Sequence, residues 1–341
     1  MTTTTDATDP TADPFGEGAP LAHAARWTVL GACFHVVSDS AALLALAAQA
    51  CASLPAHRFG AVAPMFHVEL RLGAPRDTVY ALPPRVRTQA GAGVLCGVMD
   101  AANHVVVSPG QRRALVSVSA DMLERHPYHV RYEMMEFALY LLAARGQDLV
   151  PLHGACFGFG GRGVLVLGPT GAGKSTLALH ALLEGLDFVA EDGVFVEPKT
   201  MRATGLANYL HVRDDALHWA EGAPHRWLAS SPVIVRRSGV AKREADLRIG
   251  PGRLATAPLD LAAVVMLSDQ PASGPARRSL PRDEAVARLH ADQPYAAGQP
   301  HWQRFVDGAV ERGVYRLDRQ AHPRDALRAL RPLLDADAAV A

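Results

Sequence analysis

The sequence predicts an α/β protein in which a P-loop core follows a smaller α+β unit, and three observations carry that prediction. The octet Gly168-Pro169-Thr170-Gly171-Ala172-Gly173-Lys174-Ser175 lies between an apolar run, Val164 to Leu167, and a helical pattern that begins at Lys174. Strand, glycine loop and helix form the context in which such an octet holds phosphate. The glycines let backbone N–H groups turn towards oxygen anions, and the helix adds its positive end. The first third of the chain is instead a series of short β-prone runs with one clear helix. Finally, 341 residues suffice for two cores, with a break near residues 119 to 124. The predicted organisation is a tail (1–22), an N-terminal α+β domain (23–122) and a P-loop domain (123–341).

Each element has a local reason. Met1 to Pro20 is rich in Thr, Asp, Pro and Gly, with no basic residue and no apolar centre, so a disordered tail is expected and not a secretory signal. Strands are expected at Thr28 to Val37, Phe66 to Leu72, Thr78 to Leu82, Gly93 to Met99, Val105 to Ser108 and Ala114 to Val118. A helix is expected from Ser40 to Ala52, and a hairpin turn at Asp100 to Asn103. From Pro127 a helical pattern runs through Met134, Phe137, Ala138, Leu141 and Leu142 to a stop at Gly146. A hairpin, Val150 to Phe159 and Gly163 to Leu167, then feeds the glycine loop. The loop's helix carries Leu177, Ala178, Ala181 and Leu182 on one face and ends at Gly185. Asp187 to Ala190 reads as a short strand ending in Glu191-Asp192, and Leu261 to Leu267 as a strand ending in Ser268-Asp269. Pro271 to Pro281 reads as an exposed loop, with helices near Arg282 to His290, Trp302 to Gly313 and Pro323 to Leu334.

Composition removes several function classes. Lys plus Arg balance Asp plus Glu at 34 each, so no global field draws nucleic acid or an anionic membrane. The longest uncharged apolar stretch, Ala41 to Leu54, is too short to span a bilayer. Cys33, Cys51, Cys96 and Cys156 have no metal-ligand or paired spacing, and they predict reduced, buried thiols in a cytoplasmic protein. His35, His57, His67 and His104 share no spacing that would gather them at a metal.

The chemistry therefore concentrates at the octet. Residues Gly168, Pro169, Thr170, Gly171, Ala172, Gly173, Lys174, Ser175 and Thr176 are the expected nucleotide-binding set. Lys174 would reach the β- and γ-phosphates, and the Ser175 hydroxyl would complete a Mg²⁺ shell. Phosphoryl transfer also needs a carboxylate to take a hydroxyl proton and ligands for the metal. Glu191 and Asp192, at a strand end beside the loop, are the preferred pair: Asp192 as base and Glu191 as metal or water ligand, with the roles exchangeable. Both are candidate metal ligands with Ser175. Asp269, also after an apolar strand, is the competing acid. The basic cluster Arg236 to Arg243 offers Arg237 or Lys242 for the transferring phosphate or an anionic substrate, against a plain solvated turn. The polar and aromatic segment Asn208 to Arg213 offers a contact to the acceptor, although burial in the fold is the preferred reading of Tyr209 and His211.

Leu152-His153-Gly154, Gly163 to Gly168, Gly171 to Ser175, Gly185 and Ala190-Glu191-Asp192 together resemble the catalytic core of HPr kinase/phosphorylase and its relatives, without a gap over about forty residues. The resemblance implies a P-loop core of HPr kinase/PEP carboxykinase type, with ATP and Mg²⁺ as cofactors and a hydroxyl as acceptor. His153 stands at the family's active-site histidine, Glu191 at its first acid and Asp192 at its second. Three departures count against HPr as the acceptor. Lys-Ser-Thr replaces Lys-Ser-Glu, Glu191 replaces an Asp, and the C-terminal Gly-rich signature has no counterpart. The plan is more similar to HPr-kinase-like proteins of lasso-peptide and other ribosomal-peptide maturation systems, where a comparable basic Ser-Gly turn also occurs. The implied activity is transfer of a γ-phosphoryl group to a hydroxyl, foremost a serine of a peptide or protein, with a small molecule as another acceptor. The alternatives are a nucleotide-binding or hydrolysing regulatory module and a small-molecule kinase of carboxykinase-like fold. A homo-oligomer is compatible with the sequence.

Overall fold

The computed structural model describes residues 20–77, 80–272, 274 and 276–335. The expected tail therefore falls, up to residue 19, outside the described residues. The fold is mixed α/β, built on three sheets.

The first sheet holds β1 (His23–Val29), β2 (Ala32–Ser38), β3 (Met65–Gly73), β4 (Arg87–Gly91), β5 (Val94–Val98), β6 (His104–Ser108) and β7 (Arg113–Ser119), in the order β1-β2-β3-β7-β6-β5-β4. The single strand expected at Thr28 to Val37 is two antiparallel strands. The chain reverses at Leu30 and Gly31, both left-handed with φ of 51° and 81°, as a tight hairpin requires. Of the strand expected at Thr78 to Leu82, Thr78 and Val79 lie outside the described residues, and Tyr80 to Leu82 is not a strand. β4 lacks an apolar pattern and was not foreseen; all its residues are exposed, and it forms the sheet's edge. The helix Ala41–Cys51 starts where the Ser40 hydroxyl accepts from the Leu43 amide at 3.3 Å.

The long helical stretch continues this first core. A π-helical turn, Val130–Met135, leads into the helix Glu136–Gly146, and Val130, Met134, Ala138 and Leu142 pack with Phe34, Phe66 and Val116. Gly146 matters here, because a Cβ on it would lie 2.5 Å from the Phe66 ring.

The second sheet contains β8 (Val150–His153), β9 (Ala155–Phe159), β10 (Arg162–Leu167), β11 (Asp187–Ala190), β12 (Gly193–Glu197) and β13 (Arg202–Gly205). A small third sheet, ordered β14-β16-β15, follows from β14 (Tyr209–Val212), β15 (Val233–Val235) and β16 (Ala241–Asp246). The second sheet then gains β17 (Arg253–Leu254), β18 (Leu259–Pro271), β19 (Arg277–Ser279) and β20 (Val314–Arg319), with the main order β17-β11-β9-β10-β18-β13-β12-β8. β10, β18 and β20 run parallel. In β10, Val164 and Val166 face one apolar core, which includes the helices Lys174–Leu183 and Pro323–Leu334. Leu165 and Leu167 face another, beneath the helices Arg282–Asp292 and Trp302–Arg312. Burial on both faces is why the run is continuously apolar rather than alternating.

Two expectations change. The strand Val150 to Phe159 breaks at Gly154, where a Cβ would sit 2.7 Å from the Val166 carbonyl oxygen, so β8 goes to the sheet edge while β9 lies in the interior. The proposed loop Pro271 to Pro281 contains Arg277–Ser279, which pairs antiparallel with β20 because that strand offers an open edge. Among the described residues no helix is long and apolar enough to cross a membrane.

Candidate active site

The glycine loop leaves β10 and enters the helix Lys174–Leu183. Gly168, Gly171 and Gly173 have φ of 140°, 88° and 100°, values that side-chain-bearing residues rarely adopt. At Gly171 and Gly173 a Cβ would meet nothing within 4 Å, so glycine serves the backbone conformation there rather than packing. The amides of Gly171, Gly173, Lys174 and Ser175 have no acceptor among the described residues, as expected of a helix start. Lys174 is buried, and its ammonium donates to the carbonyls of Gly168 (2.6 Å) and Pro169 (3.3 Å). Burial pulls the Lys174 pKa below lysine's ordinary value, against the field of Asp292, Asp192 and Glu191.

β11 delivers Glu191 and Asp192, and β8 delivers His153. Strand register does this: His153 pairs with Gly193, the residue after Asp192. His153 Nδ1 lies 2.8 Å from Asp192 Oδ1, with the imidazole largely exposed. Asp192 Oδ2 accepts from the Tyr132 hydroxyl at 2.7 Å and from Arg236 Nη2 at 3.2 Å. Burial works to raise the Asp192 pKa, but the His153 bond, Arg236 and Tyr132 outweigh it and hold the carboxyl far below its usual range. The backbone of His153 is itself clasped. Its N–H donates to Gln293 Oε1 at 2.8 Å, and its carbonyl accepts from Gln293 Nε2 at 2.9 Å.

Glu191 is buried and accepts from the His211 amide at 3.1 Å. The His211 ring spans two acids, with Nδ1 3.3 Å from Glu191 and Nε2 3.0 Å from Glu244. Burial lowers the His211 pKa, yet these two carboxylates raise it above the ordinary value. Beyond Glu244 the network continues through buried Arg131, which bonds Glu244 and reaches Glu136 at 3.0 Å. Asn208 Nδ2 also donates to Glu136 at 3.0 Å. Burial lifts the Glu136 pKa to about 7 against the pull of Arg131 and Asn208.

His153 and Asp192 are thus brought together beside Glu191, and Lys174, at the head of the loop's helix, lies in the field of both acids. Arg237 is not brought to this group. It grips Glu133, with Nε 2.6 Å from Oε1, and donates to the carbonyls of Pro83 and Pro84. Its neighbour Arg236 is the residue that reaches Asp192. Adjacent residues of the β15–β16 turn diverge, and the turn closes through Gly239, with φ 78°. Asp269 is exposed past the buried part of β18, bonded to Gln270 at 3.2 Å, and it is not among the carboxylates acting on Lys174. Sequence reasoning missed Tyr132, Arg236, His211 with Glu244, and Asp292. Arg236 sat inside the recognised basic cluster, and Asp292 ends a helix foreseen only to His290. Tyr132 had no motif to mark it.

An open cavity of about 830 Å³ has His153, Glu191 and Asp192 in its wall. None of Gly168 to Thr176 lines it.

No family model and no curated protein matches the chain. Among solved structures it is similar to the HPr(Ser) kinase/phosphatase from Coxiella burnetii, with 13% identity over 52% of this chain and 91% of that one and a TM-score of 0.26. That is a distant structural relationship.

Proposed function

We propose that the chain is a phosphotransferase that uses ATP and Mg²⁺ and phosphorylates a hydroxyl, foremost a serine of a peptide or protein. The observation that carries this reading is the meeting of two groups. A buried loop lysine, Lys174, lies in the field of Asp292, Asp192 and Glu191, and Asp192 is hydrogen-bonded to His153. The donor set fits the nucleotide and metal. Three left-handed glycines open the loop, amides at the helix start stand without acceptors, and Ser175 follows Lys174. Lys174, Ser175 and the loop amides would hold the phosphates, while Glu191 and Asp192 supply hard oxygen ligands suited to Mg²⁺. Bound ATP with Mg²⁺ supplies the γ-phosphoryl group and its charge neutralisation. The residues of the chain then have to orient the hydroxyl and remove its proton. Asp192 is kept anionic at the cavity wall, and the 2.8 Å bond to His153 lets the two share that proton. His211 holds Glu191 in place from behind.

The reading keeps two units, 23–122 and 123–341, with the second carrying the transfer chemistry and the helix Glu136–Gly146 packed into the first core. A cytoplasmic setting, where ATP is supplied, completes it.

Incubation with γ-labelled ATP, Mg²⁺ and a pool of serine peptides tests the proposal. Wild type should label peptide. Lys174→Ala should lose nucleotide binding, and Asp192→Asn should bind ATP but lose transfer. Hydrolysis without transfer to any acceptor would favour a nucleotide-binding regulatory module, and full transfer by both variants would exclude this site.

A further inference from the structure

The cavity that starts at Asp192 is walled by both halves of the molecule. Thr88, Gln89 and Leu95 come from β4 and β5 of the first sheet, Phe137 and Leu141 from the helix Glu136–Gly146, and Phe195 from β12. Rings form part of its wall: Tyr140 and Phe195 lie with centroids 5.0 Å apart, and Phe137 packs on Gly97, where a Cβ would come within 2.8 Å of its ring. The Tyr140 hydroxyl has no hydrogen-bond partner among the described residues, and it lies 3.6 Å from where a Cβ on Gly193 would stand, one residue from Asp192. Charged residues share the wall, Glu136, Arg145 and Asp292 among them, and His301 and Asp148 are paired at 3.2 Å.

We infer that this cavity receives the body of the acceptor, and that the acceptor carries a neutral, ring-sized apolar group next to its hydroxyl. The inference rests on the kinase reading above and adds the substrate class to it. The geometry divides the two substrates. Glu191 and Asp192 line the cavity, and no residue of the glycine loop does. A volume of about 830 Å³ is far more than a serine side chain needs and lies within the range of sites that bury most of a small ligand. Apolar walls reward an apolar occupant, and the free Tyr140 hydroxyl provides a polar contact close to the reacting end. The first sheet then has a task in selecting the acceptor, because β4 and β5 form part of the wall. The apolar group is a side chain flanking serine in a peptide, or the body of a small alcohol; both present the same chemistry to these rings.

Four probes and two variants test this. The probes are acetyl-Phe-Ser-Phe-amide, acetyl-Gly-Ser-Gly-amide, 2-phenylethanol and glycerol. Ala144→Leu fills the wall from a buried position, and Tyr295→Glu places a charge at a largely exposed one, so the second should fold even if the first does not. Binding is read by saturation-transfer NMR without nucleotide, and transfer is read with γ-labelled ATP. Wild type should bind and phosphorylate the Phe-flanked peptide at least about tenfold better than the Gly-flanked one, the gain expected from burying one aromatic side chain. Tyr295→Glu should cut that preference to below about threefold while acceptor-free ATP hydrolysis stays unchanged. Use of 2-phenylethanol over glycerol, with no preference between peptides, would assign the cavity to a small alcohol. Equal binding of all four probes, or a preference untouched in both variants, would overturn the inference. Loss of the kinase reading registers separately, as ring-selective binding that Tyr295→Glu weakens with no transfer from ATP.

Discussion

Glu136 should make the protein lose stability as the solution approaches neutrality, and Glu136→Gln should remove that loss. The carboxyl is buried with Arg131 at 3.0 Å and Asn208 at 3.0 Å, and burial still lifts its pKa from 4.5 to about 7. A pKa raised on folding means the folded chain holds the proton more tightly. Its stabilising contribution is complete below the unfolded value near 4.5 and disappears as pH rises through about 7. At about 1.4 kcal/mol per unit, the whole titration is worth roughly 3 kcal/mol, of which about 2 falls between about pH 5 and about pH 7.5. Glutamine keeps an oxygen for Arg131 and Asn208 but cannot ionise. Urea unfolding at those two pH values gives four midpoints. The stability difference, variant minus wild type, should grow by about 2 kcal/mol on going to the higher pH. Taking that difference cancels the titrating groups that Glu136 does not act on, His57 included. A difference that is the same at both pH values would refute the reasoning, since it would mean that Glu136 does not bind its proton more tightly in the folded chain.

His153→Ala should slow phosphoryl transfer yet change the free energy of unfolding by less than about 0.5 kcal/mol, because the side chain is largely exposed; collapse of the fold would instead make it a structural residue. Arg236→Met should reduce transfer by freeing Asp192, whereas Arg237→Met should leave the site intact and cost about 1–3 kcal/mol by releasing Glu133 and the Pro83 and Pro84 carbonyls. Paired transfer and urea assays on the two variants would expose a reversed assignment. His57 Nε2 donates to the Ala255 carbonyl at 2.8 Å, leaving Nδ1 to accept from Thr204 at 2.7 Å, and burial lowers its pKa despite the Ala255 bond. Its contribution is therefore present above the ordinary histidine value and fades as pH falls through the lower folded one. His57→Asn should flatten the acid side of the stability profile, and an unchanged profile would count against the neutral ring.

The sequence made the octet, its helix and the acids after β11 legible because each depends on local chemistry: glycine for positive φ, apolar spacing for the helix, carboxylates at a strand end. β10 was legible for the same reason, being apolar on both faces. What could not be read was which distant side chain arrives. Arg236 and Arg237 are equivalent on paper, and only the twist of the β15–β16 turn sends one to Asp192 and the other to Glu133. Tyr132 reaches Asp192 from sixty positions away in the chain, through the π-helical turn, a device without a composition signature. β4 was invisible because an exposed edge strand needs no apolar face. The break at Gly154 was hidden by apolar residues on both sides, although the steric limit there comes from the Leu167 side chain and the Val166 carbonyl oxygen.

The clasp of Gln293 on His153 has a consequence for the protein in a crowded solution. Among the described residues β8 is the last strand of its sheet and pairs with β12 alone, so its outer rim carries backbone groups that another chain could recruit. At His153 both of those groups are already taken, N–H and carbonyl together, by one buried amide side chain. A glutamine at the end of a helix thus imitates a missing strand for the length of one residue. At that residue the rim has no free backbone group to offer a further strand, while the imidazole beside it stays exposed.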